Sequence, residues 1–184
     1  MRQLFYKYYI FLDHIDNNIK KKILKFNDIN IIINTNGTNA NSLKIQFAII
    51  KFALKYQIPF LIKNSFLKCI KYKADGIFID SQNKKVLKPI LLKKKFIIIG
   101  SAHNQREYAQ KLIQKCSHLM LSPLFHNQKY SKNKILNPLK FNLISKNWNT
   151  KLLALGGVFS KEENKKKLNL IKISGIGFIR FDYL

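Results

Sequence analysis

Eight short runs of Ile, Leu and Phe, separated by longer stretches with helical spacing, limit what this chain can fold into. The runs are Tyr9–Leu12, Asn30–Asn34, Phe60–Lys63, Gly76–Ile79, Phe96–Gly100, Leu119–Ser122, Leu152–Leu155 and Gly177–Arg180. Strands this short and this apolar are buried on both faces, the condition of a parallel sheet covered by helices. Helices are expected over residues 15–25, 41–56, 64–72, 104–116, 138–146 and 160–169. Their starts carry helix-capping chemistry: Asp13 and its neighbours, Asn64 with Ser65, Asn104 with Glu107, Pro138, and the Ser160–Glu163 capping box. On the second helix, Leu43, Phe47, Ile50 and Leu54 repeat at a helical interval and predict its buried face.

Eight strands alternating with helices favour a closed (β/α)8 barrel over a doubly wound sheet. A barrel typically needs about 200 residues or more. This chain has 184, so the last helix is expected to be missing or shortened, with Met1–Tyr8 covering part of the gap. Residues 1–184 read as one domain, and His126–Leu136 reads as a long polar loop after strand six.

The formal net charge is +25, from 34 basic and 9 acidic residues. Three features weigh against a specific nucleic-acid role. The lysines are spread along the whole chain, Arg occurs only at positions 2, 106 and 180, and the excess of Lys, Ile and Asn is what AT-rich codons encode. No apolar run reaches the roughly 18–20 residues of a membrane span, and no signal peptide is expected. Cys69 and Cys116 lack metal-site spacing and read as reduced, buried thiols of a cytoplasmic protein. The oligomeric state is left open, a homo-oligomer included.

Candidate chemistry lies where the strands end. In barrels of this kind the loops after the strands build the site, and phosphate usually sits after strands seven and eight. Here strand seven runs into Gly156 and Gly157, and strand eight contains Gly177. Glycines let backbone N–H groups approach an anion closely; plain turn glycines are the alternative.

Five segments carry a family resemblance. Ile58-Pro59-Phe60-Leu61-Ile62, Ala74-Asp75-Gly76-Ile77-Phe78-Ile79, Ser101-Ala102-His103-Asn104, Ser122-Pro123-Leu124-Phe125 and Ala154-Leu155-Gly156-Gly157-Val158 stand in one order along the chain. Together they resemble the thiamine phosphate synthase/TenI family over about residues 8–180. The resemblance implies a barrel that joins hydroxymethylpyrimidine diphosphate to thiazole phosphate and releases diphosphate, with Mg²⁺ on the diphosphate. It places Gly156, Gly157 and Gly177 at the thiazole phosphate, and Ser101 and Lys129 at the diphosphate; Lys63, standing where the family has an Asn, is a further catalytic candidate. Asn64 and His103 would contact substrate.

The metal position would be lined by Asn64, Asn83 and Asp80. At Asn64 and Asn83 the family carries carboxylates, and this chain carries amides. The family's basic motif after strand two is replaced by Asn34-Thr35-Asn36-Gly37-Thr38. The alternatives are a TenI-like thiazole tautomerase, for which His126 is a nearby histidine, and a non-catalytic protein that binds a phosphorylated ligand. Structural alternatives stand beside the site roles: a loop-carbonyl hydrogen bond for His103, a lysine partner for Asp80, and packing for Trp148.

Overall fold

The computed structural model describes residues 7–34, 39–86, 96–126, 135–159 and 161–179. Eight parallel strands close into a barrel in simple sequence order: β1 (Lys7–Leu12), β2 (Ile29–Ile33), β3 (Phe60–Lys63), β4 (Gly76–Ile79), β5 (Ile97–Ala102), β6 (His118–Leu121), β7 (Lys151–Leu155) and β8 (Gly175–Phe178). Closure is made by β1 and β8, with Tyr9 opposite Gly177. Each strand follows the sequence reading to within two residues, and β3 and β4 match it at both ends.

Among the described residues six α-helices cover the barrel: α1 (Asn17–Ile23), α2 (Ala40–Lys55), α3 (Phe66–Lys71), α4 (Gln105–Ile113), α5 (Asn137–Ser145) and α6 (Glu162–Lys167), the last followed by a 3-10 turn at Leu168–Leu170. Ser160, Arg180 and the segment that would hold a last helix lie outside the described residues.

Two apolar layers follow from strand alternation. Tyr9, Phe11, Ile32, Leu61, Phe78, Ile99, Met120 and Leu153 point inward and fill the barrel. Their neighbours along the strands, such as Ile10, Ile31, Ile62, Ile77 and Leu119, point outward against the helices. Phe11 and Phe78 meet edge to face at 5.0 Å inside the barrel. The interior is therefore a packed floor, and ligands have access only at an end.

Three expectations are corrected. On α2 the barrel-facing residues are Gln46, Ile49, Ile50, Phe52 and Ala53, while Phe47 and Leu54 are more than half exposed. The helix carries two apolar stripes that share Ile50. The outer one ends against α3, where Phe47 meets Tyr72 edge to face at 5.4 Å. At α1 the capping residue is Asp16, whose side chain takes the Ile19 N–H at 2.7 Å. Ser65 stands at the cap of α3 but makes no side-chain cap bond, and Asn64 is turned to the site described below.

Asn104 caps α4 as expected. Its oxygen accepts the Glu107 N–H at 2.9 Å, and the Glu107 carboxylate returns to the His103 N–H at 2.7 Å. Trp148 is packing, as read: it stacks on Tyr108 at 4.5 Å and donates its indole N–H to Gln105 at 2.7 Å. Cys69 and Cys116 are free and buried, and burial pushes both thiols up to about 12. Among the described residues no helix is long and apolar enough to cross a membrane.

Candidate active site

Continuing the inward alternation by two residues past the core brings polar groups to the C-terminal end of the barrel. Lys63 follows Leu61, Asp80 follows Phe78, Ser101 follows Ile99 and Ser122 follows Met120. These four positions, from neighbouring strands, share one mouth.

The β3–β4 side of that mouth is a closed hydrogen-bonded knot. Asn64 has a positive φ of 55°, a conformation that Asn tolerates better than most residues. That turn aims its side chain across the mouth. Its Nδ2 donates to the Asp80 carboxylate at 2.6 Å, and its oxygen accepts both the Asp80 N–H and the Asn83 side-chain amide at 3.1 Å. The second Asp80 oxygen accepts the Asn83 N–H at 3.0 Å, and Lys63 Nζ lies 3.6 Å from the carboxylate. Asp80 is thus a lysine partner as well as the centre of the knot.

A backbone N–H on one side and a carboxylate on the other leave one sensible orientation for the Asn64 amide. Its oxygen then uses both lone pairs on protein donors. The Asn83 oxygen accepts the Lys85 N–H at 2.9 Å. Mg²⁺ takes carboxylates, water and phosphate oxygens in octahedral geometry. One carboxylate that already accepts two hydrogen bonds and pairs with Lys63, with a saturated amide beside it, does not fit a resident Mg²⁺ ion. Among the described residues no group of three or more His, Cys, Asp or Glu side chains stands close enough to hold a metal.

The knot rests on a feature that sequence reading missed. Lys111 of α4 and Gln114, the residue that caps its C-terminus, are fully buried. Lys111 Nζ donates to the carbonyls of Asp80 at 2.6 Å and Asn83 at 3.0 Å and to Gln114 Oε1 at 2.8 Å. Gln114 Nε2 donates to the carbonyls of Asn83 and Lys85, each at 2.8 Å. Burial pulls the Lys111 pKa down, and the charges of Cys116, Asp80 and Glu107 oppose that. Three acceptors match the three donors of an ammonium, so the charged form is the one built into the fold. The sequence did hold a signal: Lys111 falls three residues after buried Tyr108, on the face of α4 where the periodicity calls for an apolar side chain.

On the β5–β6 side, Ser101 is buried at 7% exposure. The His103 ring nitrogen Nδ1 lies 2.6 Å from the Ser122 carbonyl oxygen. A carbonyl only accepts, so Nδ1 carries the proton. His103 thereby makes the loop-carbonyl bond weighed for it from sequence, and ties the end of β5 to the end of β6.

On the β7 side, Gly156 and Gly157 both have positive φ, at 93° and 70°. A Cβ on Gly157 would lie 2.6 Å from the carbonyl oxygens of Phe125 and His126. The Gly156 carbonyl accepts the Phe125 N–H at 3.0 Å, and the Gly157 carbonyl accepts Asn164 Nδ2 at 2.8 Å. The glycine pair thus turns its carbonyls to the β6 loop and to α6. Gly177 sits within the ladder between Tyr9 and Leu155, where a Cβ would press on the side chains of Leu155 and Met120. His126 is exposed. Lys129 lies outside the described residues.

Residues 22–180 match the family model described as thiamine monophosphate synthase. The chain belongs to the thiamine monophosphate synthase family. It is 30% identical over 144 residues to the thiamine-phosphate synthase of Pelagibacter ubique, covering 75% of this chain and 69% of that protein. It is 28% identical over 135 residues to the enzyme of Helicobacter pylori, covering 70% of this chain and 59% of that one. For the Prochlorococcus marinus protein the identity is 25% over 142 residues, 76% of this chain and 39% of the relative. The matches thus span from about two fifths to about two thirds of the length of these curated relatives. Among solved structures, a thiamine phosphate pyrophosphorylase from Pyrococcus furiosus superposes with a TM-score of 0.69 at 15% identity, covering 94% of this chain and 85% of that one. That likeness speaks for the shared barrel.

Proposed function

We propose that this family member joins a pyrimidine diphosphate to a thiazole phosphate, releasing diphosphate and forming thiamine phosphate. The observation that carries the reading is the placement of two anion-suited features at one mouth: Lys63 at the end of β3, and the positive-φ Gly156–Gly157 turn at the end of β7. One substrate carries a diphosphate and the other a phosphate, so two such features are what the reaction calls for.

In this reading the backbone of Gly156 and Gly157, with that of Gly177 on the neighbouring strand, receives the thiazole phosphate. Lys63, with Ser101 and Lys129, faces the diphosphate. As the bond from the pyrimidine methylene to the diphosphate oxygen breaks, negative charge gathers on the leaving group and positive charge on the ring. A fixed ammonium beside the leaving group lowers the barrel-bound barrier more than it would in water. Asp80, itself held by Asn64, pairs with that ammonium. The packed floor of Phe11 and Phe78 keeps bulk water from the reacting carbon on the barrel side. The two buried thiols suit a reducing cytoplasm.

A second reading, a protein that binds the phosphorylated ligands without joining them, draws on the saturated Asn64 amide, since the family's acidic pair is gone. One assay separates the two. Purified protein is given both substrates, with Mg²⁺ or with chelator, and thiamine phosphate is measured. Turnover that Ser101→Ala and Lys63→Met each reduce at least about tenfold supports the synthase. Absence of turnover with retained thiazole phosphate binding supports the second reading instead.

A further inference from the structure

Between β4 and β5 the described chain, residues 80–86, has no helix or strand of its own. A backbone without a ladder must find partners elsewhere or lose them. Here α4 supplies them. Lys111 takes the carbonyls of Asp80 and Asn83, Gln114 takes those of Asn83 and Lys85, and Gln110 takes that of Lys84 at 3.3 Å. Residues 110, 111 and 114 share one helix face. The lysine stem reaches its target by crossing β5 at Gly100, where any Cβ would lie 2.9 Å from Lys111 Cδ. Gly100 pairs with Ile79, the residue before Asp80. A glycine and a buried ammonium are thus matched across a helix and a strand.

We propose that Lys111 is a positioning residue for the diphosphate side of the mouth, an inference that rests on the synthase reading and deepens it. The ammonium holds the Asp80 and Asn83 carbonyls. That fixes where the Asp80 carboxylate sits, and the carboxylate in turn holds Lys63 toward the mouth. Lys111 never reaches substrate. The buried ammonium thus sits beneath the loop that carries Asp80 and Asn83.

The test is calorimetric titration of the full chain with inorganic diphosphate and, separately, with thiazole phosphate, comparing wild type with Lys111→Met. Lys111→Met weakens diphosphate binding about tenfold and leaves thiazole phosphate within about twofold, because an ion-assisted hydrogen-bond set is lost on one side of the mouth only. In the same variant amide exchange across residues 80–85 quickens, while that of β1 and β8 is unchanged. Should Lys111→Met fail to fold, Gln114→Leu removes two of the carbonyl contacts and shows the same selectivity, with a loss of about threefold. Equal diphosphate affinity in wild type and variant overturns the role of Lys111 and leaves the synthase reading standing. Equal weakening of both ligands also overturns it, since the effect is then global. Failure of wild type to bind diphosphate removes the synthase reading and this role with it.

Discussion

Asn64 and Asp80 hold each other twice on the rim of the barrel mouth: the amide donates to the carboxylate at 2.6 Å, and its oxygen takes the Asp80 backbone N–H at 3.1 Å. The pair links the end of β3 to the end of β4 and leaves Lys63 beside a shared negative charge. At the ends of β3 and β4 the chain has thereby built an internal hydrogen-bonded closure.

Asn64→Asp tests that closure. Asp also tolerates the positive φ at this position, so the change isolates charge. Two carboxylates then face each other at hydrogen-bond distance, costing on the order of 2 kcal/mol. Millimolar Mg²⁺ raises the Tm of Asn64→Asp, and more so of the double variant with Asn83→Asp, but not that of wild type. An equal Mg²⁺ shift in wild type would show that the amide oxygens are available after all.

Gly157→Ala meets two obstacles, the positive φ and the carbonyls of Phe125 and His126. It lowers stability by roughly 1–3 kcal/mol and opens the turn. Thiazole phosphate affinity falls with it, while diphosphate affinity stays. Thermal melts and paired titrations check both halves of the expectation.

Trp148→Ala removes the indole stacked on Tyr108 and its bond to Gln105. A loss of about 3–5 kcal/mol is expected for a buried Trp. Ligand affinities, measured where the variant remains folded, do not change, because Trp148 lies before β7, away from the strand ends that form the mouth.

His118 opens β6 in register with Lys151 of β7. Its pKa is lowered from 6.5 by burial and then by the charges of Lys151 and Lys7; its Nδ1 meets the Ser117 hydroxyl at 2.9 Å. A folded-state value below the unfolded one means the unfolded chain binds the proton first. The stability linked to His118 is therefore present above pH 6.5 and is lost as pH falls through the folded value. Between pH 7.5 and 5.5, as bracketing conditions around the ordinary range of about 6.5, the Tm of wild type drops further than that of His118→Gln. Parallel pH curves for the two proteins would exclude this linkage.

The eight strands were legible because each is a short apolar run whose burial on both faces leaves little choice of residue. Helix positions were legible where a cap stood before a periodic stretch, as at Asn104. The apolar face of α2 was misread because Leu43, Phe47, Ile50 and Leu54 repeat as regularly as the true inner stripe, and only packing against the barrel separates the two. Gly156 and Gly157 stood out by residue type alone. Lys63, Asp80 and Ser101 could be placed on one mouth by counting in twos from the core.

What the sequence determined by itself is local and periodic: strand alternation, helix spacing, glycines where φ is positive, and the family to which five ordered motifs point. What only the tertiary structure decided is which polar atoms satisfy one another. Asn64 meets Asp80 sixteen positions on, and Lys111 reaches it from thirty-one positions away. Such pairs have no periodicity to betray them. Barrel closure brings the strand ends together, and the need to satisfy every buried donor and acceptor then selects the partners.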